Sequence, residues 1–348
     1  MIPRHEIDAA ARQRPGWDIQ QVEQDIVLTR LMAEVANDKY LAEALVLKGG
    51  TCLHKLWLPE PWRYSKDLDY ARTEDTPMGA TFDALRAAGQ RVGMNGTRTR
   101  VSSGRLVSHV TYRATYADGA TMKITVDIPT SPPAVPAQTR TRTLTVAHPG
   151  GTTTAEIVSV TPEEMIASKA AAVFVRRQPR DAYDVWAATA AGLTTAQQAA
   201  ARFQHYRTSG WSLGRAVSNL DAKWADAHYL AELRAFGAQA PTPFGLAACR
   251  AAVDEMIVQC SLQSHHVTGT ASSGTADRPR RQRTRDHDTI PTGPTTKRPQ
   301  IEDALRKGNR THAEIAKALG VSRSWVSEVA RQVQQQRSSL PSTGHSGA

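Results

Sequence analysis

The stretch LVLKGGTCLHKLWLPEPWRYSKDLDY, residues 45–70, decides how the fold of the chain is interpreted. Its apolar start leads into the pair Gly49–Gly50, where the absence of Cβ atoms lets a backbone approach a ligand closely. Asp67 and Asp69 stand two positions apart. On a strand their carboxylates share one face, while the intervening Leu68 points into the core.

The glycine pair and the acidic pair together predict a nucleotide site. A helix that starts at Thr51 would direct its free N–H groups at a ligand and favour an anion. Two aligned carboxylates opposite such a phosphate site indicate a hard divalent cation bound to a nucleoside triphosphate. Each half alone has a simpler alternative, which is a glycine turn for the first and a solvated acidic strand end for the second.

The motifs KGGT-x-L and R-x-S-x-DLD resemble the nucleotidyltransferase-like toxins of the AbiEii/AbiGii family, whose relatives include the MenT toxins. The residues that carry the resemblance are Lys48, Gly49, Gly50, Thr51, Leu53, Arg63, Ser65, Asp67, Leu68 and Asp69. The resemblance implies a polymerase-β-like core that binds a nucleoside triphosphate with Mg²⁺ or Mn²⁺. The expected metal ligands and catalytic residues are Asp67 and Asp69, and the expected phosphate-binding residues are Lys48, Gly49, Gly50, Thr51 and Ser65.

A second motif lies in SVTPEEMIASKAAAVFVRRQPRDAYDVW, residues 159–186. Its pattern K-x-A…R…RDAYDV resembles the family's second signature, in which the lysine contacts phosphate and the later aspartate is essential. By this match Lys169 and Asp184 are expected to be catalytic, and Arg177 and Asp181 to bind the nucleotide. The alternative is that Asp181 caps a helix and that the charges form salt bridges within the helix pair.

The same segment carries signals for two helices. Thr161 and Glu164 predict a capping box, with Pro162 in the first helical position. Pro179 ends that helix, so the helical phase cannot be carried across it. The next helix is expected to open around Asp181.

A hairpin is predicted around Asp118-Gly119, because this turn signal separates two alternating segments, residues 106–116 and 121–128. Asp127 falls on the polar face of the second strand. It is either a third metal carboxylate or an ordinary solvent-facing residue near a strand end.

Composition limits the broader class. No run of about eighteen apolar residues exists, so no membrane span is expected. The first residues lack an apolar stretch suited to export. Cys52, Cys249 and Cys260 have no metal-ligand spacing, which favours reduced thiols and a cytoplasmic protein. His205 and His228 are expected to be surface or packing residues.

The fold class is predicted to be α+β, with a mixed or antiparallel sheet and helical additions. The expected parts are a nucleotidyltransferase core (1–160), a helical subdomain completing the active site (161–264), a disordered basic linker (265–300), a helix-turn-helix (301–337) and a disordered tail (338–348). The net charge is +10, and from His265 onward fourteen Lys and Arg face seven Asp and Glu. Most of the excess charge therefore belongs to the C-terminal part.

The segment THAEIAKALGVSRSWVSEVARQ, residues 311–332, is typical of a helix-turn-helix. Its exposed positions, which could meet DNA bases or phosphates, include Arg323, Ser324, Ser327 and Arg331. Such modules also serve as protein contacts, so DNA binding and protein binding both stay open.

The resemblance implies a toxin that transfers a nucleoside monophosphate from the triphosphate to the 3′ end of tRNA, with an antitoxin as partner. Two alternatives remain. One is AMPylation of a protein hydroxyl by the same core, and the other is a DNA-binding regulator whose nucleotidyltransferase body senses nucleotide.

Overall fold

The computed structural model describes residues 2–75, 77–102, 104–133, 137–148, 151–208, 210–266, 298–307, 311–319, 326 and 330. The chain forms two units. The larger contains every described residue up to His266, and the smaller contains those from Arg298 onward.

A seven-stranded mixed sheet forms the centre of the larger unit, which confirms the α+β prediction. Its strands are β1 (Leu45–Lys48), β2 (Asp67–Arg72), β3 (Gly96–Ser102), β4 (Arg105–Arg113), β5 (Thr121–Pro129), β6 (Thr139–His148) and β7 (Gly151–Val160). Their order is β3-β4-β5-β2-β1-β7-β6. The β1–β7 and β2–β5 pairs are parallel, whereas the other pairs are antiparallel. Strands β3 and β7 were not expected from the sequence.

The helices of the first half pack around this sheet. They are α1 (Arg4–Arg12), α2 (Ile19–Asn37), α3 (Lys39–Ala44), α4 (Gly49–Cys52, continued by π-helical turns over Leu53–Trp57) and α5 (Met78–Arg91). Helix α2 starts with a capping box between Asp18 and Gln21 and packs on β5, β6 and β7. The helix after the glycine pair begins at Gly49, two residues before the expected start at Thr51.

The second half is helical. It comprises α6 (Pro162–Val175), α7 (Pro179–Ala190), α8 (Ala196–Ala200), α9 (Leu213–Trp224), α10 (Ala227–Gly237) and α11 (Leu246–His266). Helix α7 packs against α6, α10 and α11. Pro162 and Pro179 both take a first-turn position, as predicted. Within the described ranges, the helices include none that is both long and apolar enough to cross a bilayer.

The predicted capping box at the start of α6 is wrong. The Thr161 hydroxyl is buried and makes no hydrogen bond. Glu164 instead accepts hydrogen bonds from the Gln138 backbone N–H, at 3.2 Å, and from Arg202, at 2.6 Å. The carboxylate thus ties α6 to the segment before β6 rather than to its own N-terminus.

The alternation of β2 separates the core from the polar face. Leu68, Tyr70 and Arg72 are buried, while Asp67 and Asp69 point to the other side. In β4 the same alternation buries Leu106, Ser108, Val110 and Tyr112. Helix α5 covers this buried side so closely that a Cβ on Gly89 would collide with Val110. The opposite side of the sheet is left for the polar residues.

The smaller unit contains α12 (Arg298–Lys307) and α13 (His312–Leu319), joined by the buried side chains of Ile301, Ile315, Ala316 and Val326. Thr311 caps α13 by accepting a hydrogen bond from the Glu314 backbone N–H at 3.3 Å. The expected DNA-contact residues Arg323, Ser324, Ser327 and Arg331 lie outside the described residues, as do most of the linker 265–300 and the tail 338–348.

Leu68 should be a principal anchor of the acidic strand, because it is completely buried between the two aspartates. We expect Leu68→Ala to lower the free energy of unfolding by roughly 3 kcal/mol through lost burial and a residual cavity. Leu262→Ala is the matched control, since this α11 side chain is 52% exposed, and should change stability by less than about 0.5 kcal/mol. Urea unfolding measures both, and equal effects would contradict the assigned core.

Candidate active site

A cavity of about 960 Å³ lies between the polar face of the sheet and α6. Its size is within the range of small-molecule sites. The charged side chains that line it are Lys48, Arg63, Asp67, Asp69, Arg105, Asp127, Glu164, Lys169, Arg176 and Arg180. Gly49, Gly50 and Ser65 also line it, so the structure brings most of the predicted nucleotide-binding residues together.

Strand register aligns three of these side chains. Lys48 of β1 and Asp127 of β5 are both direct neighbours of Asp69 on β2. Burial raises the pKa of Asp69, although the positive charges of Lys48 and Lys169 oppose this rise. Burial lowers the pKa of Lys48, against the effect of Asp69. Lys48, Asp69 and Asp127 therefore form a partly desolvated row of charges, and a bound ion or phosphate would strongly change the pKa values of Lys48 and Asp69.

The glycine pair is required by the protein's own side chains. Gly49 has φ +81°, a left-handed conformation that favours glycine, and a Cβ there would collide with the Asp69 carboxylate. A Cβ on Gly50 would collide with the Arg63 guanidinium. The sequence predicted close approach to a ligand, whereas the structure shows that these glycines admit Asp69 and Arg63 to the cavity wall.

Asp184 lies beneath the cavity wall and holds two of the basic residues that line the cavity. It is completely buried and does not line the cavity. Arg63 donates to both of its oxygens, at 2.8 and 2.9 Å, and Lys169 Nζ lies 2.8 Å from Oδ2. Burial alone would raise the pKa of Asp184, but the charges of Arg63 and Lys169 hold it well below its usual range. The structure thus places Asp184 beneath the cavity, in contact with Arg63 and Lys169, and its expected role in catalysis stays a prediction.

Asp181 completes the support of Lys169. It is also completely buried, and its carboxylate pairs with Lys169 at 2.9 Å and with Arg176 at 2.7 and 2.9 Å. Asp181 does not line the cavity, and its expected role in nucleotide binding stays a prediction. The salt bridges expected as the alternative are present. Lys169 nevertheless lines the cavity, with 11% of its side chain exposed.

Arg177 does not lie in the cavity, contrary to expectation. Its guanidinium pairs with Asp226 at the start of α10. The adjacent Arg176 lines the cavity instead. Arg176 follows α6 in an extended conformation, with φ −127° and ψ 156°, so the side chains of the two arginines point in opposite directions.

Thr51 also differs from expectation, since it is buried and does not line the cavity. Its hydroxyl lies 2.7 Å from the Ser65 hydroxyl and donates to the Asp67 carbonyl at 2.5 Å. Thr51 therefore holds Ser65 and the start of the acidic strand in place, and its expected role in nucleotide binding stays a prediction.

The carboxylates fit a metal held jointly with phosphate. Arg105 contacts both oxygens of Asp127, at 2.6 and 2.7 Å. Asp127 lines the same cavity as Asp67 and Asp69, and its role as a third metal carboxylate stays a prediction. Within the described residues, no three His, Cys, Asp or Glu side chains form a metal site. Mg²⁺ is usually bound by one or two carboxylates together with substrate phosphates. Asp67, partly exposed, and the desolvated Asp69 provide such a pair.

Several cavity residues were missed by sequence reasoning. They are Arg63 as a site residue, Arg105, Arg176, Arg180, His205 and Tyr206. Arg180 Nη1 lies 4.0 Å from Asp67 Oδ2. The cluster of arginines at residues 176–180 was a usable signal, but its phase could not be assigned across Pro179. His205 gave no signal beyond an isolated histidine.

The buried His54 makes stability depend on pH. Its Nε2 lies 3.1 Å from Asp184 Oδ1, and its Nδ1 accepts from the Trp62 backbone N–H. Burial lowers the pKa of His54 to about 4, against about 6.5 in an unfolded chain. The unfolded state therefore takes up the proton first. This contribution to stability is complete above about pH 6.5 and is lost as the pH falls towards 4.

We expect His54→Gln, which retains a side-chain donor and acceptor, to remove roughly 3 kcal/mol of the pH-dependent change in unfolding free energy between these pH values. Urea unfolding at a series of pH values measures the difference from the unmodified protein. His228→Gln, at an exposed histidine, is the control. An unchanged pH dependence in His54→Gln would show that His54 is not held neutral.

The chain is similar to known proteins in sequence and in fold. The family model "Nucleotidyl transferase AbiEii toxin, Type IV TA system" matches residues 30–257. MenT4, a nucleotidyltransferase toxin of Mycobacterium tuberculosis H37Rv, has a similar structure, with a TM-score of 0.50 and 18% identity over 75% of this chain and 90% of that chain. JHP933 from Helicobacter pylori gives a TM-score of 0.44 and 14% identity over 72% of this chain and 97% of that chain.

No curated protein matches the sequence. The family match covers well over half of the chain, and MenT4 has the same kind of fold. The chain is an enzyme, a nucleotidyltransferase, and it belongs to the AbiEii toxin family of type IV toxin–antitoxin systems.

Proposed function

We propose that this nucleotidyltransferase uses Mg²⁺ to transfer a nucleoside monophosphate from a nucleoside triphosphate to the 3′ end of an RNA. The family resemblance suggests tRNA as the acceptor. The observation that carries the proposal is the placement of Asp67 and Asp69 opposite Lys169 in one cavity of triphosphate size. Blocked tRNA ends would arrest translation, which is consistent with a toxin.

The acidic strand would hold the metal. Asp67 and Asp69 supply two hard oxygen ligands, and the triphosphate supplies others. When bound, the cation would polarise the reacting phosphoryl group and neutralise its charge. Because Asp69 is desolvated between Lys48 and Lys169, its interaction with a cation would be stronger than in water.

The cationic side chains would bind and orient the phosphates. Lys48, Arg63, Lys169, Arg176 and Arg180 line the same cavity, together with the hydroxyl of Ser65. Lys169 is held in place by two buried carboxylates, so little reorganisation would be needed to stabilise charge in the transition state. The acceptor hydroxyl would bond to the α-phosphorus while the bond to pyrophosphate breaks.

The surroundings favour an RNA acceptor. Basic residues extend from the cavity over the neighbouring strands, and nucleic acids bind such surfaces through their phosphates. The three cysteines are buried thiols without disulfides, which agrees with action in the cytoplasm. Membership of a type IV toxin–antitoxin family implies a triphosphate substrate and a cognate antitoxin.

Asp69→Asn should lower transfer by roughly a hundredfold or more, because a neutral amide binds a divalent cation poorly. The assay incubates the purified protein with each α-labelled nucleoside triphosphate, Mg²⁺ and total tRNA, and follows label on RNA. Asp83→Asn, at an exposed position of α5, is the control and should retain full activity.

The same assay separates the alternatives. Label on protein instead of RNA would replace the proposal by AMPylation. Transfer by Asp69→Asn at the rate of the unmodified protein would refute the assigned metal ligands. No transfer to either acceptor, with toxicity dependent only on the C-terminal module, would favour the regulator.

Arg176→Ala should raise the KM for the triphosphate on the order of tenfold, because a cation that lines the cavity is lost. Arg177→Ala should leave KM within about twofold, since this neighbouring arginine pairs with Asp226 outside the cavity. Steady-state kinetics with varied triphosphate compares this matched pair. The reverse order would contradict the placement of the two side chains.

A further inference from the structure

One side of the β3–β4–β5 part of the sheet is open. The helix-covered side contains buried residues such as Val110 and Ile124. On the other side Arg98, Arg100 and Lys123 are exposed. We call this open side of β3, β4 and β5 the basic face. The active-site cavity borders it, because Thr125, Asp127 and Arg105 of β4 and β5 line the cavity.

Strand register connects the edge of the sheet to the two catalytic carboxylates. One row of paired residues runs Arg98, His109, Thr125 and Asp67. The next row runs Arg100, Val107, Asp127 and Asp69. Paired residues in neighbouring strands point to the same side of a sheet, and neighbouring strands lie about 4.8 Å apart. Each arginine therefore stands about 14 Å from the carboxylate at the end of its row.

Three basic side chains on this face have no acidic partner among the residues that the structure describes. Within the described ranges, Arg98, Arg100 and Lys123 form no ion pair with a carboxylate. In contrast, Arg63, Arg105 and Arg176 in the cavity each pair with an aspartate. The pKa of His109 is lowered, first by partial burial and then by the charges of Lys123, Arg98 and Arg100, although the charge of Asp67 opposes this effect. The positive charges thus converge on the middle of the basic face.

The chemistry of the face favours a phosphate backbone over bases. The outward residues of the three strands are mainly Arg, Lys and Thr, the carboxylate of Asp127 is paired with Arg105, and His109 is the one aromatic ring among the described residues. Sequence-tolerant single-strand sites combine basic grooves with stacking platforms, and the platform is missing here among those residues. Contacts to phosphate position a strand without reading its sequence.

We propose that the basic face binds the sugar–phosphate backbone of the acceptor RNA, so that the strand runs from β3 across β4 and β5 and delivers its 3′ end to Asp67 and Asp69. This inference rests on the proposed RNA acceptor. Charged residues on edge strands also prevent aggregation. That role needs no alignment with the active site, so the two explanations predict different results.

The test uses the double variant Arg98→Ala/Arg100→Ala in the full chain. Binding of a fluorescent single-stranded RNA of about ten nucleotides is measured by anisotropy at several salt concentrations. Each lost phosphate contact should reduce the slope of log K against log salt by about 0.7, so the double variant should lose about 1.4. The KM for RNA should rise on the order of tenfold, with little change in kcat and in triphosphate binding.

Two matched variants control for charge. Arg12→Ala/Arg86→Ala removes two exposed arginines from α1 and α5 on the helix-covered side, and should leave the salt slope unchanged. Arg98→Lys/Arg100→Lys keeps the charge on the basic face and should restore most of the binding.

The outcomes separate this inference from the proposed function. Suppose that the unmodified protein transfers nucleotide to RNA and that both double alanine variants retain its salt slope and its KM for RNA. The basic face is then not the RNA site. If the unmodified protein labels no RNA, the proposed function fails first and this inference fails with it. Equal loss in the Arg12/Arg86 variant would show that only overall charge matters, which would also overturn the assignment.

Discussion

The structure depends on one buried carboxylate. Asp184, on α7, receives a bidentate bond from Arg63 and an ion pair from Lys169 of α6. Arg63 comes from the segment between the glycine helix and the acidic strand. One carboxylate therefore joins three parts of the chain that are far apart in sequence. A buried charge of this kind is tolerated only when it is fully paired, so breaking any partner leaves an uncompensated charge.

This arrangement explains how a cluster of cations can line a single cavity. Lys169 and Arg176 would repel each other and Arg63 if they stood alone. The carboxylates of Asp181 and Asp184 beneath them provide compensating charge and fix their geometry. The residues that would touch nucleotide are held by residues that do not, which is how pre-organised electrostatic sites work. The pair of Arg63 and Asp184 also explains why Gly50 has no space for a side chain, because a Cβ there would collide with the Arg63 guanidinium.

Sequence reasoning succeeded where periodicity is strong. The alternation at Asp67-Leu68-Asp69 and the hairpin at Asp118-Gly119 are both present. At that turn Asp118 has φ 48° and Gly119 φ 75°, as the turn signal implies. The resemblance assigned a phosphate contact to Lys169, a charged residue that stands among alanine and apolar residues. The roles of these residues in catalysis stay predictions until they are measured.

Sequence reasoning failed where tertiary contacts decide which way a charged side chain points. Burial cannot be read for Asp181 and Asp184, because an acidic residue in an amphipathic helix can face either side. Arg177 was expected in the cavity, but the neighbouring Arg176 lines it instead. Arg176 is extended after the end of α6, so the helical periodicity does not apply to these two side chains. Glu164 had a local partner available in Thr161, but Arg202, 38 residues away, competes successfully for it. A charged partner forms a stronger hydrogen bond than a neutral cap.

The central claim is that Asp184 and Lys169 act as one unit, the carboxylate through the ammonium that it positions. A double-mutant cycle on kcat tests this directly, using Asp184→Asn, Lys169→Gln and the combined variant, with folding of each checked by circular dichroism. If the account is right, the effects are strongly non-additive and the combined variant is about as slow as Lys169→Gln alone. Losses in kcat that simply multiply would show that the two residues act independently and would contradict it.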